Sequence, residues 1–268
     1  MSFPRAVGTA TAVLGATVVG SWAFMVRQRT AGPMRITFSD SIPQSFKDSA
    51  SVKELVNPRG HQDVADSYAA TLTIPRPLRN TSDEDLLARF VSGFFGGYTL
   101  SPERLLLRLV GKRLVSFSKI DAVAGAEGRP IWSLSEIPTD QLPPVHSVLF
   151  GAFQISSIRL VDQNASGISP SSSDEGSHVD FVFGTDKGQF AGVHRFRVSR
   201  PRRLKGEERA GGGDEELVTV HLEHMSCNPA VDKALKPDFL LTLHKIYATL
   251  LFREGVAEIK RRCEEECG

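Results

Sequence analysis

Cysteines are scarce in this chain of 268 residues, and the three present, Cys227, Cys263 and Cys267, all come late. So few cysteines cannot build a disulfide framework. A hydrophobic core must therefore hold the fold together, and a hydrophobic fraction of 41% is sufficient for one. Cys263 and Cys267 lie four residues apart, but only glutamates separate them in the last turn of the chain. We predict a frayed tail over residues 263–268 and no metal site.

An excess of basic residues is also missing. Of 32 basic and 31 acidic residues, four basic and no acidic ones lie in the first 39 positions. The rest of the chain thus has 28 basic residues against 31 acidic ones, a formal charge of −3. Proteins that bind nucleic acid usually carry a basic face or stripe. The composition therefore predicts no nucleic-acid partner.

No local catalytic or nucleotide-binding motif is present. The sequence has no phosphate-binding loop, dinucleotide-binding fingerprint, G-x-S-x-G elbow or H-E-x-x-H motif. We therefore predict no cofactor and favour a protein that is not an enzyme. Catalytic residues scattered around a cavity would leave no such pattern, so the question of activity stays open.

The N-terminal segment, residues 1–33, is predicted to be a membrane anchor or targeting segment. Ala6 to Val26 is an uncharged stretch of 21 residues, long enough to cross a bilayer as a helix. The positive charges lie mostly after it, which favours an uncleaved anchor over a secretory signal. Trp22 lies near the end of the stretch, where interfacial aromatic residues are found. We predict a single-pass helix in a mitochondrial membrane, with the endoplasmic reticulum as the alternative.

Small residues recur every four positions along this stretch, at Gly8, Ala12, Ala16 and Gly20. Such a stripe lets a second helix approach closely, so it predicts a homodimer through the anchor. The alternative is that a stretch rich in alanine and glycine has small residues in every register.

The body of the chain, residues 34–262, has the pattern of an α+β domain. Alternating apolar residues predict strands, capping patterns at Ser82 and Ser101 predict two helices, and polar composition predicts loops near 162–177 and 201–215. The predicted strands are 68–74, a strand or bent pair within 147–162, 178–183, 190–198 and 217–225. We expect these strands to form a curved antiparallel sheet.

A long helix is predicted over 237–262, because bulky apolar residues recur there at three- and four-residue steps. The apolar stripe has to be buried, and the simplest cover is the sheet. The residues of this stripe are Phe239, Leu240, Leu243, Ile246, Tyr247, Leu250 and Leu251.

Several blocks resemble an uncharacterised START-like family of bacterial and fungal proteins. They are DVADSYA at 63–69, FVSGFFGGYTLSPERLLLR at 90–108, HVDF at 178–181, VTVHLEHMSCN at 218–228 and FLLTLHKIYATLLFREGVAEI at 239–259. The resemblance implies a helix-grip fold of the START and Bet v 1 kind, in which the sheet curls around the final helix and encloses an apolar cavity. It implies no reaction.

Two histidines are candidates for contacts inside such a cavity. His194 shares a strand face with Phe196, and His224 shares one with Val220 and Leu222, so both histidines can point inward. They would fix the polar head of a ligand, whereas the alternative is that each is a buried histidine satisfied by the backbone. His221, three residues from His224, lies on the opposite strand face and cannot share a metal with it. Asp180 is predicted to be an outward carboxylate of a hairpin.

The leading functional hypothesis is a membrane-anchored domain that binds a hydrophobic small molecule or lipid under the C-terminal helix. Its predicted ligand contacts are His194, Phe196, His224, Leu243 and Tyr247. The alternatives are a cavity enzyme acting on a hydrophobic substrate, with His194 or His224 as acid or base, and a non-enzymatic membrane scaffold.

Overall fold

A computed structural model describes residues 19–32, 34–75, 81–123, 128–161, 176–200, 216–235 and 238–267. These residues form an α+β fold in which an eight-stranded sheet is followed by a long C-terminal helix. The strands are β1 (Thr37–Ser39), β2 (Asp63–Ile74), β3 (Pro130–Ile131), β4 (Val148–Leu149), β5 (Phe153–Arg159), β6 (Ser177–Gly184), β7 (Ala191–Ser199) and β8 (Glu216–Cys227). The α-helices are α1 (19–30), α2 (Gln44–Lys47), α3 (Asp83–Gly96), α4 (Ser101–Val110), α5 (Ser118–Asp121) and α6 (Asp238–Cys267).

The sheet order is β1-β2-β8-β7-β6-β5-β4-β3. Neighbouring strands are antiparallel except for the short pair β3 and β4, which is parallel. The predicted strand and helix order is confirmed, and the apolar stretch within 147–162 is the bent pair β4 and β5. The N-cap of α3 is also as predicted, because the Ser82 hydroxyl accepts a hydrogen bond from the Asp85 N–H at 3.1 Å.

The inner face of the sheet packs against α3 and α6. Alternate residues of β2, β8, β7 and β6 point to this face and are apolar over most of their length. Six phenylalanines fill its middle, each nearly or completely buried, and we call them the phenylalanine cluster: Phe90, Phe94, Phe95, Phe181, Phe196 and Phe252. Neighbouring rings within it have centroids as close as 4.8 Å, which is a packed aromatic core.

The outer face of the sheet is covered as well. Phe46 of α2, together with Val52 and Val56 of a π-helical turn (Ser51–Val56), packs on apolar residues of β6, β7 and β8. A sheet covered on both faces tolerates few unpaired charges. Asp180, predicted to be an outward carboxylate, does lie on the outer face, but it is completely buried and its carboxylate accepts two hydrogen bonds from the Arg195 guanidinium at 2.7 and 2.9 Å.

The helices α3 and α6 cross at two glycines. A β-carbon built on Gly93 would lie 2.6 Å from the Glu258 β-carbon, and one built on Gly255 would lie 2.7 Å from the Phe90 ring. The crossing is reinforced by Glu254 of α6, whose carboxylate accepts hydrogen bonds from the N–H groups of Tyr98 and Thr99 at 2.7 and 2.9 Å. The C-terminal half of α6 is therefore fixed closely to α3 and the turn that follows it.

The predicted burial of the α6 stripe is confirmed at Leu251 and wrong at Leu243 and Ile246, whereas the side chains of Phe239 and Leu240 lie outside the described part of the chain. Leu243 is 55% exposed and Ile246 is 57% exposed. The buried face instead runs through Ala248, Leu251 and Phe252 towards Cys263, where small residues let α3 come near. The predicted tail is also wrong, because α6 continues to Cys267 and Cys263 belongs to the core. The prediction follows the positions of the bulky apolar residues, whereas the packing follows the small residues that let the two helices approach each other.

The N-terminal anchor prediction falls mostly outside the described residues, which include neither Gly8, Ala12 nor Ala16. Among the helices that the structure does describe, none combines the length and the apolar character needed to span a bilayer. The described part of the N-terminal segment is α1, which packs against the rest of the protein. The Trp22 indole N–H donates to the Tyr98 carbonyl at 2.8 Å, and Val26 is buried. Gly20 has no atom within 4 Å of a built β-carbon. The predicted loop 201–215 and most of 162–177 also lie outside the described residues.

Candidate functional site

A group of polar side chains interrupts the apolar inner face at one end of the sheet. His194 of β7, His224 and Ser226 of β8, Asp66 of β2 and His244 of α6 form this group, which we call the histidine cluster. The strand register places Asp66 directly opposite His224, and His224 directly opposite His194. Directly opposed residues of antiparallel strands share a face, so the three side chains form a row beneath the N-terminal half of α6.

The predicted pair of histidines is brought together. The Nδ1 atoms of His224 and His194 are 3.2 Å apart, so one nitrogen donates and the other accepts. The Nε2 atom of His224 is 3.2 Å from the Ser226 hydroxyl. On the α6 side, the centroid of the His244 ring lies 4.6 Å from the centroid of the His224 ring. The alternative of two separate histidines satisfied by the backbone is therefore not what the structure contains.

Burial keeps these histidines uncharged. It lowers the pKa of His194 to about 3, with the neighbouring His244 as a second cause, and lowers the pKa of His224 well below its usual value. The pKa of His244 is lowered by burial as well. Neutral imidazole both donates and accepts, so the cluster can hydrogen-bond a polar group without adding positive charge.

Asp66 is the unusual member of the cluster. Its side chain is 0% exposed, and neither carboxylate oxygen has a hydrogen-bond partner. Burial raises its pKa to about 6, against the weaker opposing effect of Lys245. The Nε2 atom of His244 is likewise buried without a hydrogen-bond partner. Buried polar groups are nearly always paired in folded proteins, so two unpaired groups in one cluster mark it as a candidate binding site.

The other predicted ligand contacts are not members of the histidine cluster. Phe196 is a member of the phenylalanine cluster, next to the His194 ring. Tyr247 points toward α4, where its hydroxyl donates to a Glu103 carboxylate oxygen at 2.9 Å. Leu243 lies on the exposed side of α6. Sequence reasoning missed Asp66, Ser226 and His244, although Asp66 continues the inward alternation of Tyr68 and Ala70.

The structure also has a groove of about 330 Å³ between the end of α3, α6 and α1. Its buried charged side chains are already used by the protein backbone: Glu254 binds two N–H groups, and Arg104 donates to the carbonyls of Phe95 and Gly97. Within the described residues, no group of three or more His, Cys, Asp or Glu side chains has an arrangement suited to a metal ion. The histidine cluster is the stronger candidate site.

The chain matches no protein-family model, no curated protein and no solved structure. The function of the histidine cluster therefore has to be inferred from its own residues and their surroundings.

Asp66→Asn is expected to remove a pH-dependent loss of stability. The pKa of Asp66 is raised to about 6 by burial, whereas an unfolded aspartate has a pKa of about 3.9. The folded state therefore disfavours the ionised form, and its stability falls as the pH rises from about 4 to 6. Between pH 4 and pH 7.5 the wild type should lose roughly 2–3 kcal/mol of unfolding free energy that the variant keeps.

Urea denaturation at the two pH values measures this difference. Asp63→Asn is the matched control, because Asp63 is an exposed carboxylate on the same strand, and it should follow the wild type at both pH values. An Asp66→Asn variant that loses stability between the two pH values as the wild type does would contradict the expectation.

Proposed function

We propose that this chain binds a small amphiphile, with the polar head group at the histidine cluster and the apolar part beneath the N-terminal half of α6. The observation that carries this proposal is the Asp66 carboxylate, which is completely buried and has no hydrogen-bond partner. Leaving a buried polar group unpaired costs roughly 1–3 kcal/mol, and more for a charged one. A ligand whose head group binds the Asp66 carboxylate would offset that cost.

The proposed position of the ligand's apolar part follows from where protein side chains already fill the space beneath α6. The phenylalanine cluster occupies the middle of the space between the sheet, α3 and α6, so little room is left there. The first turns of α6, before Ala248, do not bury the apolar side chains of Leu243 and Ile246, which are exposed. We therefore place the apolar part of the ligand between these turns of α6 and the ends of β2 and β8, where an outward shift of the helix admits it.

A helix-grip fold of the START-like kind is part of the proposal. It is supported by the two helices after β2, by the sheet order β2-β8-β7-β6-β5-β4-β3, and by the long helix that packs on the inner face. In this interpretation β1 is an added edge strand. Proteins with the same fold have many different functions, so the fold is compatible with a binding site but does not identify the ligand.

Attachment to a membrane also stays a proposal. It is supported by the uncharged stretch Ala6–Val26 and by the basic residues that follow it. Because Trp22 is bonded to Tyr98, an anchor ending there would hold the body close to the lipid surface. The membrane, mitochondrial or of the endoplasmic reticulum, would then be a source of amphiphilic ligands. Self-association through Gly8, Ala12, Ala16 and Gly20 stays a prediction.

Native mass spectrometry of the full-length chain, extracted from cells in a mild detergent, tests the proposed function. We expect a small molecule to remain bound to the wild type and to the Asp63→Asn control, and to be absent or much reduced in Asp66→Asn. Thermal unfolding of the same samples shows whether all three are folded. Equal retention by the wild type and Asp66→Asn would contradict a site at Asp66, and a folded wild-type chain with no bound molecule would contradict the function.

A cavity enzyme is the second candidate, because Ser226, His224 and His194 form a hydrogen-bonded series with two contacts of 3.2 Å. Nucleophilic catalysis uses such an arrangement, with a hydroxyl as the nucleophile, a neutral base beside it and a third group that orients the base. However, β8 is paired with β2 on one side and β7 on the other, so the backbone N–H groups around Ser226 are used in the sheet. An oxyanion needs donors of this kind, which is why binding ranks above catalysis.

A further inference from the structure

The hydrogen-bonding groups left over in the histidine cluster are mostly acceptors. Asp66 has two unpaired carboxylate oxygens, and the Nε2 atom of His244 is unpaired as well. The remaining contacts of the cluster, from His194 to His224 to Ser226, use donors and acceptors among themselves. A matching head group must therefore bring several donors to one place.

The described cation that acts on Asp66 is ion-paired with another carboxylate. Lys245, which acts on Asp66 from α6, is ion-paired with Asp40, and its ammonium lies 5.0 Å from the centroid of the Phe38 ring. Asp66 therefore has a neighbouring positive charge but no hydrogen bond from it. Among the described residues no side chain hydrogen-bonds the Asp66 carboxylate, so a cation of a ligand can pair with it directly.

From these observations we propose that the head group of the ligand is a protonated amine that binds the Asp66 carboxylate. The inference rests on the proposed function, since it specifies the class of amphiphile. An alkylammonium brings three donors and one positive charge, which matches the two unpaired oxygens of Asp66. Buried charges are stable only when they are paired and hydrogen-bonded, and this pairing satisfies both conditions.

Other head groups fit less well. A carboxylate head would bring a second negative charge next to Asp66, which like-charge repulsion disfavours. A hydroxyl brings one donor and leaves the charge of Asp66 without a counter-ion. The three histidines are neutral and therefore do not repel a cation. The site thus distinguishes amphiphiles by charge rather than by chain length.

The experiment compares three probes with the same chain, namely dodecylamine, dodecanol and dodecanoate. Each is titrated as a monomer, below its micelle concentration or, for dodecanol, its solubility limit, into the full-length protein at pH 7.5, and binding is measured calorimetrically. We expect the amine to bind at least about tenfold more tightly than the alcohol, corresponding to one direct ion pair with partial burial. The preference should disappear in Asp66→Asn and remain in Asp63→Asn.

Lowering the pH gives an independent readout. The pKa of Asp66 is about 6 in the free protein, so about a tenth of the carboxylates are ionised at pH 5. The groups acting on Asp66 from the adjacent elements are Lys245 of α6 and Asp40 after β1, while its cross-strand neighbour His224 stays neutral. Amine binding should therefore weaken roughly tenfold at pH 5, and dodecanol binding should not change.

The outcomes separate the two levels of the proposal. If dodecanol or dodecanoate binds as tightly as dodecylamine, or if Asp66→Asn keeps the preference for the amine, the inferred head group is wrong while the binding function stands. If no probe binds the folded wild type, the proposed function fails together with the inference. Thermal unfolding of each variant at pH 7.5 excludes misfolding as the cause.

Discussion

Replacing Arg195 by methionine is expected to lower the free energy of unfolding by roughly 3–5 kcal/mol. The Arg195 guanidinium donates to both carboxylate oxygens of Asp180 and lies 4.4 Å from the centroid of the Phe46 ring. Methionine fills much of the same volume but leaves Asp180, which is 0% exposed, without a partner. An isolated buried carboxylate is much less stable than a paired one. Urea denaturation at pH 7 measures the loss.

An exposed ion pair gives the control for this change. Lys119 pairs with Glu54 at 3.0 Å, and both side chains are more than half exposed, so Lys119→Met should cost less than about 1 kcal/mol. Adding Asp180→Leu to Arg195→Met should recover a large part of the loss, because the carboxylate left without its partner is then removed. If Arg195→Met costs no more than Lys119→Met, the buried pair is not a determinant of stability.

Gly93→Ala is expected to destabilise the protein by about 3 kcal/mol, at the upper end of the range for overpacking. The added β-carbon would lie 2.7 Å from the Glu254 carbonyl oxygen and 2.9 Å from the Gly255 α-carbon. These are backbone atoms that cannot rotate away, so α3 and α6 must move apart. The loss should appear although alanine favours an isolated helix over glycine by about 1 kcal/mol.

Gly96 of the same helix provides the matched control. The nearest atom to a β-carbon built there is the Leu134 Cδ2 at 3.9 Å, which is ordinary contact. Gly96→Ala should therefore be neutral or stabilise the protein by up to about 1 kcal/mol. Opposite signs for the two substitutions, measured by thermal unfolding, would support the close approach, and equal effects would contradict it.

The strands could be predicted because their alternation is regular, but the outer layer could not. In β6 and β7 the outward positions hold Asp180 and Arg195, and charged residues at alternate positions are typical of a strand face in water. The two charges neutralise each other across the strands, which lets Phe46 and the π-helical turn cover them. Which residues pair across two strands depends on the register between the strands, and the sequence of a single strand does not specify that register.

The site was predicted in part for similar reasons. His194 and His224 lie within regular alternation, so their inward direction could be predicted. The predicted strand began at Tyr68, and this start left Asp66 outside the sheet although β2 begins at Asp63. His244 was missed because the helical stripe had been placed on the face of Leu243 and Ile246, which is exposed. The contact between His244 and His224 depends on the rotation of α6, which is set by its packing at Gly93 and Gly255.

The first turns of α6 and the rest of the helix are held by different kinds of contact. The first turns can therefore open locally while the domain stays folded. From Ala248 onward, α6 contributes Ala248, Leu251, Phe252, Val256 and Ile259 to the core. Before Ala248, the described part of the helix is held by polar contacts, including the ion pair of Lys245 with Asp40 and the hydrogen bond from the Tyr68 hydroxyl to the Lys245 carbonyl at 3.2 Å. Segments with few buried apolar contacts open at a fraction of the global free energy. The first turns of α6 can therefore unwind and uncover the histidine cluster while the phenylalanine cluster stays intact, and the amphiphile proposed above would exchange by this local opening without unfolding of the domain.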